Sequence, residues 1–147
     1  MATSRERSNM ATTNLINDIE NLHSKFGVFD KVLMMEPDRL KEFLKFRINC
    51  IQEELDETKE AFMKNDAEEV VDGLIDILVF TLGTLDLFDI AIDEAWLQVN
   101  NANMTKQLGI KEGRPNPYGL PDLLKPDGWE GPDHTYNHGL IGVALDE

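Results

Sequence analysis

The sequence predicts an all-α protein, with an antiparallel core resembling a four-helix bundle and a C-terminal tail rich in proline and glycine. Apolar residues recur every three or four positions in four successive segments, and no segment alternates apolar and polar residues as a strand does. The connections between these segments are short, which favours antiparallel neighbours. Five of the six prolines follow Gly109. The helical core is therefore expected at about 13–108 and an extended or looped tail at 109–147.

The first two helices are marked by their ends and by a continuous apolar stripe. From Thr13 a short amphipathic helix runs to Gly27, which is placed as a C-terminal cap. Pro37 occupies a position where a helix can begin, and the long second helix is expected to end near Asn65. A continuous apolar stripe runs through this helix and comprises Leu40, Leu44, Ile48, Ile51, Leu55 and Phe62.

The third and fourth helices follow directly. Asp66 is predicted to cap the third helix, with Glu69 completing a capping box, and the helix is expected to run to about Leu87. Asp89 is predicted to cap the fourth helix, which should stop at Gly109.

Length and charge limit the classes of protein that the chain can represent. With 147 residues it has the size of one domain. We expect residues 1–9 to be a flexible extension, because Met10 offers a second start, and residues 10–147 to form the domain. The formal net charge of −14 argues against a DNA or RNA polymer as partner. A small anionic ligand is compatible with this acidity if a divalent cation stands between the phosphates and the carboxylates.

The chain is predicted to be cytoplasmic and not to associate with a membrane. Cys50 is the only cysteine, so no intrachain disulfide can form, and it is expected to be a buried apolar residue. The N-terminal residues lack the apolar stretch of a signal peptide. The most apolar segment, 74–85, is too short to span a bilayer and contains Asp76.

Two pairs of acidic residues form the candidate site. Glu54 and Glu57 are three apart and lie on one face of the second helix, although such pairs are common on solvated helix faces. Asp72 and Asp76 are four apart on the third helix. The apolar residues around Asp76 predict that it is buried, and a buried carboxylate without a partner is costly.

The partner of Asp76 is predicted to be a metal ion. No Lys or Arg lies between Lys64 and Lys106, which leaves a distant residue such as Arg47 as the alternative. Two acids on each of two adjacent helices favour a divalent cation.

Two further acids each have two interpretations. Glu69 has ligand spacing with Asp72, but the capping box explains it equally well. Glu53 lies on a more exposed face of the helix. It is interpreted either as a solvated charge or as a general base or a residue that orients a ligand.

The chain resembles the MazG-like all-α nucleoside triphosphate pyrophosphohydrolases, a superfamily that also contains phosphoribosyl-ATP pyrophosphohydrolase and the dimeric dUTPases. The resemblance is carried by the segments 46–57, 71–83 and 100–106, followed by Lys125-Pro126 and Trp129. Many members have Glu-x-x-Asp before the apolar run of the third helix. Here Gly73 stands where that Glu would be, and the acid is at Asp72.

This resemblance implies a metal-dependent hydrolase. Mg²⁺, with Mn²⁺ as a substitute, would be held by Glu54, Glu57, Asp72 and Asp76, with Glu69 as a further candidate. A water molecule would attack the α-phosphorus of a nucleoside triphosphate, giving nucleoside monophosphate and pyrophosphate. The candidate catalytic residues are Glu53, Glu54 and Glu57.

The resemblance also implies substrate contacts and partners. Asn100, Asn103 and Lys106 would contact base, sugar or phosphate, with Lys106 near the leaving phosphates, whereas a fraying helix end explains the asparagines without function. A homodimer or homotetramer and a role in nucleotide-pool housecleaning are expected. Trp129 would stack on a base or pin the tail to the bundle, and the second is favoured.

Two other functional classes remain open. A helical dimerisation or adaptor module would use its acidic face to bind a basic partner. A di-iron carboxylate bundle is suggested by Glu20-x-x-His23, but such a site needs two motifs of this kind and only one is present. His23 is better explained as a helix-end residue.

Overall fold

A computed structural model of the chain describes residues 13–114 and 116–146. The predicted flexible extension at 1–9 lies outside them. Helices dominate the described residues, which confirms the all-α class. The helices are α1 (Leu15–Lys25), α2 (Val28–Leu33), α3 (Pro37–Met63), α4 (Ala67–Leu87), α5 (Ile92–Met104) and α6 (Gly139–Ala144), and the strands are β1 (Gln107–Gly109) and β2 (Asp122–Leu124).

Local signals in the sequence account for several helix ends. The side chain of Asn14 caps α1, and Gly27 follows that helix in the left-handed conformation, with φ +64°. Pro37 is the first residue of α3, as predicted. The Asp66 carboxylate accepts a 3.1 Å hydrogen bond from the backbone N–H of Glu69, which confirms the predicted cap of α4.

The predicted bounds of the fourth helix are wrong at both ends. Ala91, in an extended conformation, is the N-cap of α5, whereas Asp89 adopts a left-handed conformation with φ +57°. N-cap residues typically have extended backbone, and Asp89 lies two residues before the N-cap of this helix. The helix ends at Met104 and not at Gly109.

The chain after α5 contains regular structure that the sequence did not predict. β1 and β2 pair antiparallel, with Leu108 opposite Leu123. Three-residue strands are too short to show a period-two pattern, which explains why they were missed. Gly109 leaves room for the Leu124 side chain, which a Cβ at position 109 would overlap. The helix α6 also lies in the segment predicted to be looped.

The described residues divide into two compact units. The first contains the residues up to Ile90 and those from Gly139 on. In it, α3 and α4 form an antiparallel hairpin, against which α1, α2 and α6 pack. Its core contains Val32, Leu40, Leu44, Leu87, Phe88 and Ala144. No helix in the described ranges is long and apolar enough to cross a membrane.

The second unit comprises Ala91–His138 and contains α5, β1, β2 and the loops around them. The Asn137 side chain accepts a hydrogen bond from the Ala91 N–H and donates one to the Ala91 carbonyl, both 2.9 Å. The Trp129 indole N–H donates to the Ala102 carbonyl at 2.9 Å and so fastens the loop to α5. A single domain over 10–147 stays a prediction.

Candidate active site

The hairpin of α3 and α4 positions the candidate carboxylates. Gly73 of α4 lies against Thr58 of α3, and a Cβ at position 73 would overlap the Thr58 side chain. Thr58 is buried, and its hydroxyl donates to the Glu54 carbonyl at 2.7 Å. Glycine therefore permits the close approach of the two helices. This contact lies beside Glu57 and Asp72 in sequence, so it fixes the separation of the two acidic helix faces.

The electrostatics of Glu54 show that the structure brings five of the six predicted acids together. The pKa of Glu54 is raised above its ordinary value of 4.5, first because the side chain is partly removed from water and then because of neighbouring negative charges. Those charges belong, in decreasing order, to Glu57, Asp76, Asp72 and Glu53. Carboxylates from both helices therefore act on one half-buried acid.

Glu69 is the sixth predicted acid, and it is not among the groups that shift Glu54. Its side chain is exposed, and its backbone N–H is bonded to Asp66. The Asp66 N–H donates to the Ala61 carbonyl at 3.0 Å and not to the Glu69 side chain, so only one half of the predicted capping box forms. Its role as a ligand stays a prediction.

The expected burial of Asp76 is wrong for the chain as described. Asp76 is only half-buried, and its neighbours Leu74 and Ile75 are 55% and 53% exposed. The apolar residues that surround Asp76 in sequence encircle the helix, whereas only one side of α4 packs against α3. The surroundings of Asp76 therefore do not require a cation as its partner. The prediction of a cation depends instead on the cluster of acids.

Arg47, the alternative partner proposed for Asp76, bonds elsewhere. Its Nε donates to the Thr84 hydroxyl at 3.1 Å, and its Nη2 donates to the Phe80 carbonyl at 3.2 Å. The guanidinium carbon lies 4.9 Å from the centre of the Phe80 ring. Partial burial lowers the pKa of Arg47. In the part of the chain described, no Lys or Arg forms an ion pair with the five clustered acids.

The carboxylates of the acidic cluster are suitable ligands for a hard divalent cation. Mg²⁺ and Mn²⁺ prefer carboxylate oxygens, and the five clustered acids supply such oxygens without a competing cationic side chain. As the side chains stand, no three His, Cys, Asp or Glu residues among those described converge closely enough to hold a metal ion. The helix pair thus supplies the donors, and side-chain rotation would have to bring them together.

The predicted substrate-binding residues lie in the second unit. Asn100 and Asn103 are exposed near the end of α5, and Lys106 follows the helix and is half-buried. The Lys106 backbone N–H donates to the Asn103 carbonyl at 3.2 Å. The Lys106 ammonium lies 5.4 Å from the centre of the Trp129 ring. These predicted residues are therefore neighbours at one end of α5.

One polar pair was not anticipated from the sequence. His23 is buried, with 7% of its surface exposed, and its Nδ1 lies 2.5 Å from Oδ2 of Asp86. The prediction placed His23 correctly in the last turn of a helix but gave it no partner. The two residues are 63 positions apart, and no spacing rule connects them.

Comparison with protein-family models gives a match over the segment that contains α3 and α4. A family model described as phosphoribosyl-ATP pyrophosphohydrolase matches residues 30–103, which include α3, α4 and all six predicted acids. Searches of curated proteins and of solved structures give no match. The family match spans half of the chain. The chain therefore belongs to the phosphoribosyl-ATP pyrophosphohydrolase family, within the MazG-like superfamily of nucleotide pyrophosphohydrolases that its motifs indicated.

Proposed function

We propose that the protein hydrolyses a nucleoside or deoxynucleoside triphosphate to the monophosphate and pyrophosphate in a reaction that depends on Mg²⁺. The observation that carries this proposal is the cluster of five carboxylates on two helices around Glu54, which no Lys or Arg neutralises within the described ranges. The pKa of Glu54 is raised by partial removal from water and then by the other four carboxylates. Mutual repulsion of this kind favours a divalent cation and a substrate that arrives with it. A role in nucleotide-pool housecleaning is part of the proposal.

Glu54, Glu57, Asp72 and Asp76 would hold the cation, with Mn²⁺ able to replace Mg²⁺ and Glu69 as a further candidate ligand. When bound, the cation would neutralise phosphate charge and acidify a water molecule. The water oxygen bonds to the α-phosphorus while the bond from this phosphorus to the bridging oxygen breaks, and pyrophosphate leaves. Glu53 is exposed beside this group and is proposed to accept the proton of the water.

Asn100, Asn103 and Lys106 are proposed to bind the nucleotide. The two amides offer both donors and acceptors to base or sugar, and the ammonium of Lys106 offers donors to phosphate oxygens. Charge neutralisation at the leaving phosphates is a large part of catalysis in phosphoryl transfer.

Self-association into a homodimer or homotetramer is also proposed. One face of α4 carries apolar side chains that a single chain leaves in water, namely Val71, Leu74, Ile75, Leu78 and Val79. A contiguous apolar face of this kind is typical of an interface. Sedimentation of the wild type and of Ile75→Glu would test it. A lower molecular mass for the variant is expected, and equal masses would contradict the assignment of this face.

The activity is tested by a substrate screen with Mg²⁺. Canonical and modified nucleoside triphosphates, with phosphoribosyl-ATP as a separate arm, are incubated with the protein, and pyrophosphate and orthophosphate are measured independently. Pyrophosphate release from a triphosphate is expected. Release of orthophosphate alone would refute the proposed cleavage site, and hydrolysis of phosphoribosyl-ATP alone would change the substrate assignment.

A matched pair of variants separates this function from a non-enzymatic adaptor. Asp76→Asn should reduce the rate by at least about 100-fold, since it removes a proposed metal ligand. Glu60→Gln is the control, because Glu60 lies on α3 but pairs with Lys64 at 2.8 Å. An Asp76→Asn protein with wild-type activity would overturn the mechanism.

A further inference from the structure

The second unit gathers two positive charges at one tryptophan. The Lys106 ammonium lies 5.4 Å and the Lys125 ammonium 4.9 Å from the centre of the Trp129 ring. The indole N–H of Trp129 is bonded to the Ala102 carbonyl, so the ring has a fixed position. The faces of an indole ring are electron-rich and attract ammonium groups. Trp129 therefore orders two lysines that are far apart in sequence.

The strand pairing independently places the same two lysines together. In the ladder of β1 and β2, Gln107 is opposite Leu124. Lys106 directly precedes Gln107, and Lys125 directly follows Leu124, so the two lysines flank the same end of the ladder. Like charges in such positions repel each other and weaken the pairing.

No acid in the described part of the chain lies within ion-pair distance of either lysine. Among the residues described, neither Lys106 nor Lys125 forms an ion pair, although the chain contains 28 Asp and Glu against 14 Lys and Arg. Asp127 and Glu130 flank Trp129 in sequence without reaching ion-pair distance of either ammonium. The ring interactions leave the ammonium N–H donors free, and such donors bind phosphate oxygens.

We propose that Lys125 is a second phosphate-binding residue and that Lys106, Lys125 and Trp129 form a site for a polyphosphate anion. The identification of this anion as the pyrophosphate portion of a nucleotide rests on the proposed function. A polyphosphate offers the oxygens of two phosphate groups, one for each ammonium, whereas orthophosphate offers those of a single group. Trp129 acts as the positioning residue that holds the two lysines.

The test measures the binding of inorganic pyrophosphate to the full chain in EDTA by calorimetry, with orthophosphate and a nucleoside triphosphate as further arms. Lys125→Gln and Lys106→Gln should each weaken pyrophosphate binding by about tenfold or more. Lys125→Arg should keep most of the affinity. Lys111→Gln is the control, since Lys111 is an exposed lysine of the same unit away from Trp129, and should change the affinity by less than about twofold.

A Trp96→Phe background isolates the fluorescence of Trp129, since the chain has two tryptophans. Pyrophosphate should change this fluorescence in the presence of both lysines and not in Lys125→Gln. The proposal is overturned if the wild type does not bind pyrophosphate at about 10 mM, if Lys125→Gln binds like the wild type, or if Lys111→Gln loses as much affinity as Lys125→Gln.

Pyrophosphate binding and triphosphate hydrolysis can be lost separately. Asp76→Asn should keep pyrophosphate binding in EDTA even when hydrolysis is lost. Lysine-dependent binding without hydrolysis of any triphosphate would reject the proposed function and leave the anion site in place. Hydrolysis with unaltered binding in Lys125→Gln would reject the anion site alone.

Discussion

Gly73 of α4 packs against Thr58 of α3 so closely that the smallest side chain at position 73 would meet the Thr58 hydroxyl. The same hydroxyl donates to the carbonyl of Glu54, one of the candidate metal ligands. The contact thus links helix packing to the acidic cluster, because the distance between the helices sets the distance between their carboxylates.

Gly73→Ala is expected to destabilise the protein. Overpacking at a buried contact costs about 1–3 kcal/mol, whereas alanine favours a helix over glycine by about 1 kcal/mol, which leaves a net loss of up to about 2 kcal/mol. Urea unfolding measures it. Thr58→Ala should relieve the overlap, so the Gly73→Ala change should cost less in that background. Equal cost in both backgrounds would show that the contact does not limit packing.

Glu54→Gln is expected to raise the melting temperature of the metal-free protein at pH 7. The folded state raises the pKa of Glu54, so it binds the proton more tightly than the unfolded chain does. The ionised group therefore lowers stability above the raised pKa, and this loss disappears as pH falls through that pKa to the ordinary value of 4.5. The advantage of Glu54→Gln should vanish below about pH 4.

Glu60→Gln is the control for that measurement, because the pKa of Glu60 is shifted in the opposite direction from that of Glu54. The hydrogen bond from Lys64 lowers the pKa of Glu60, so its ionised form stabilises the fold above the ordinary pKa, and this contribution is lost as pH falls through the lowered value. Removing this charge should not raise the melting temperature at pH 7. A similar rise in both variants would indicate a general effect of net charge.

Mg²⁺ is expected to stabilise the wild type, with a melting temperature that rises with its concentration. Asp76→Asn should lose most of this increase, because the proposed site loses a ligand. The increase should also weaken as pH approaches the raised pKa of Glu54, since protonation removes a donor. Ca²⁺ and Mn²⁺ serve as comparison ions. An undiminished response in Asp76→Asn would place the cation elsewhere.

His23→Ala is expected to destabilise the fold by about 2–3 kcal/mol, because it leaves the Asp86 carboxylate without its partner in a site where only 13% of that side chain is exposed. Asp86→Asn should cost less, since the amide still offers a hydrogen bond. A double-mutant cycle by chemical denaturation measures the coupling. Additive losses would mean that the two side chains act independently.

The sequence determined those features that depend on neighbours along the chain. Asn14, Pro37 and Asp66 mark helix starts through backbone chemistry within one turn, and apolar periodicity identified the helices. It did not identify every buried residue, since Ile48 and Phe62 of the predicted stripe are 55% and 70% exposed. The spacings of the acids likewise placed Glu54 with Glu57 and Asp72 with Asp76. These features are local, so the residues themselves specify them.

Only the tertiary structure decided which distant groups meet and which side chains leave water. It showed that Asp76 is half-buried, that Arg47 bonds to Thr84, and that His23 pairs with Asp86. It also joined Lys106 to Lys125 through Trp129. Such contacts depend on how helices and strands pack across long sequence separations, and neither periodicity nor capping carries that information.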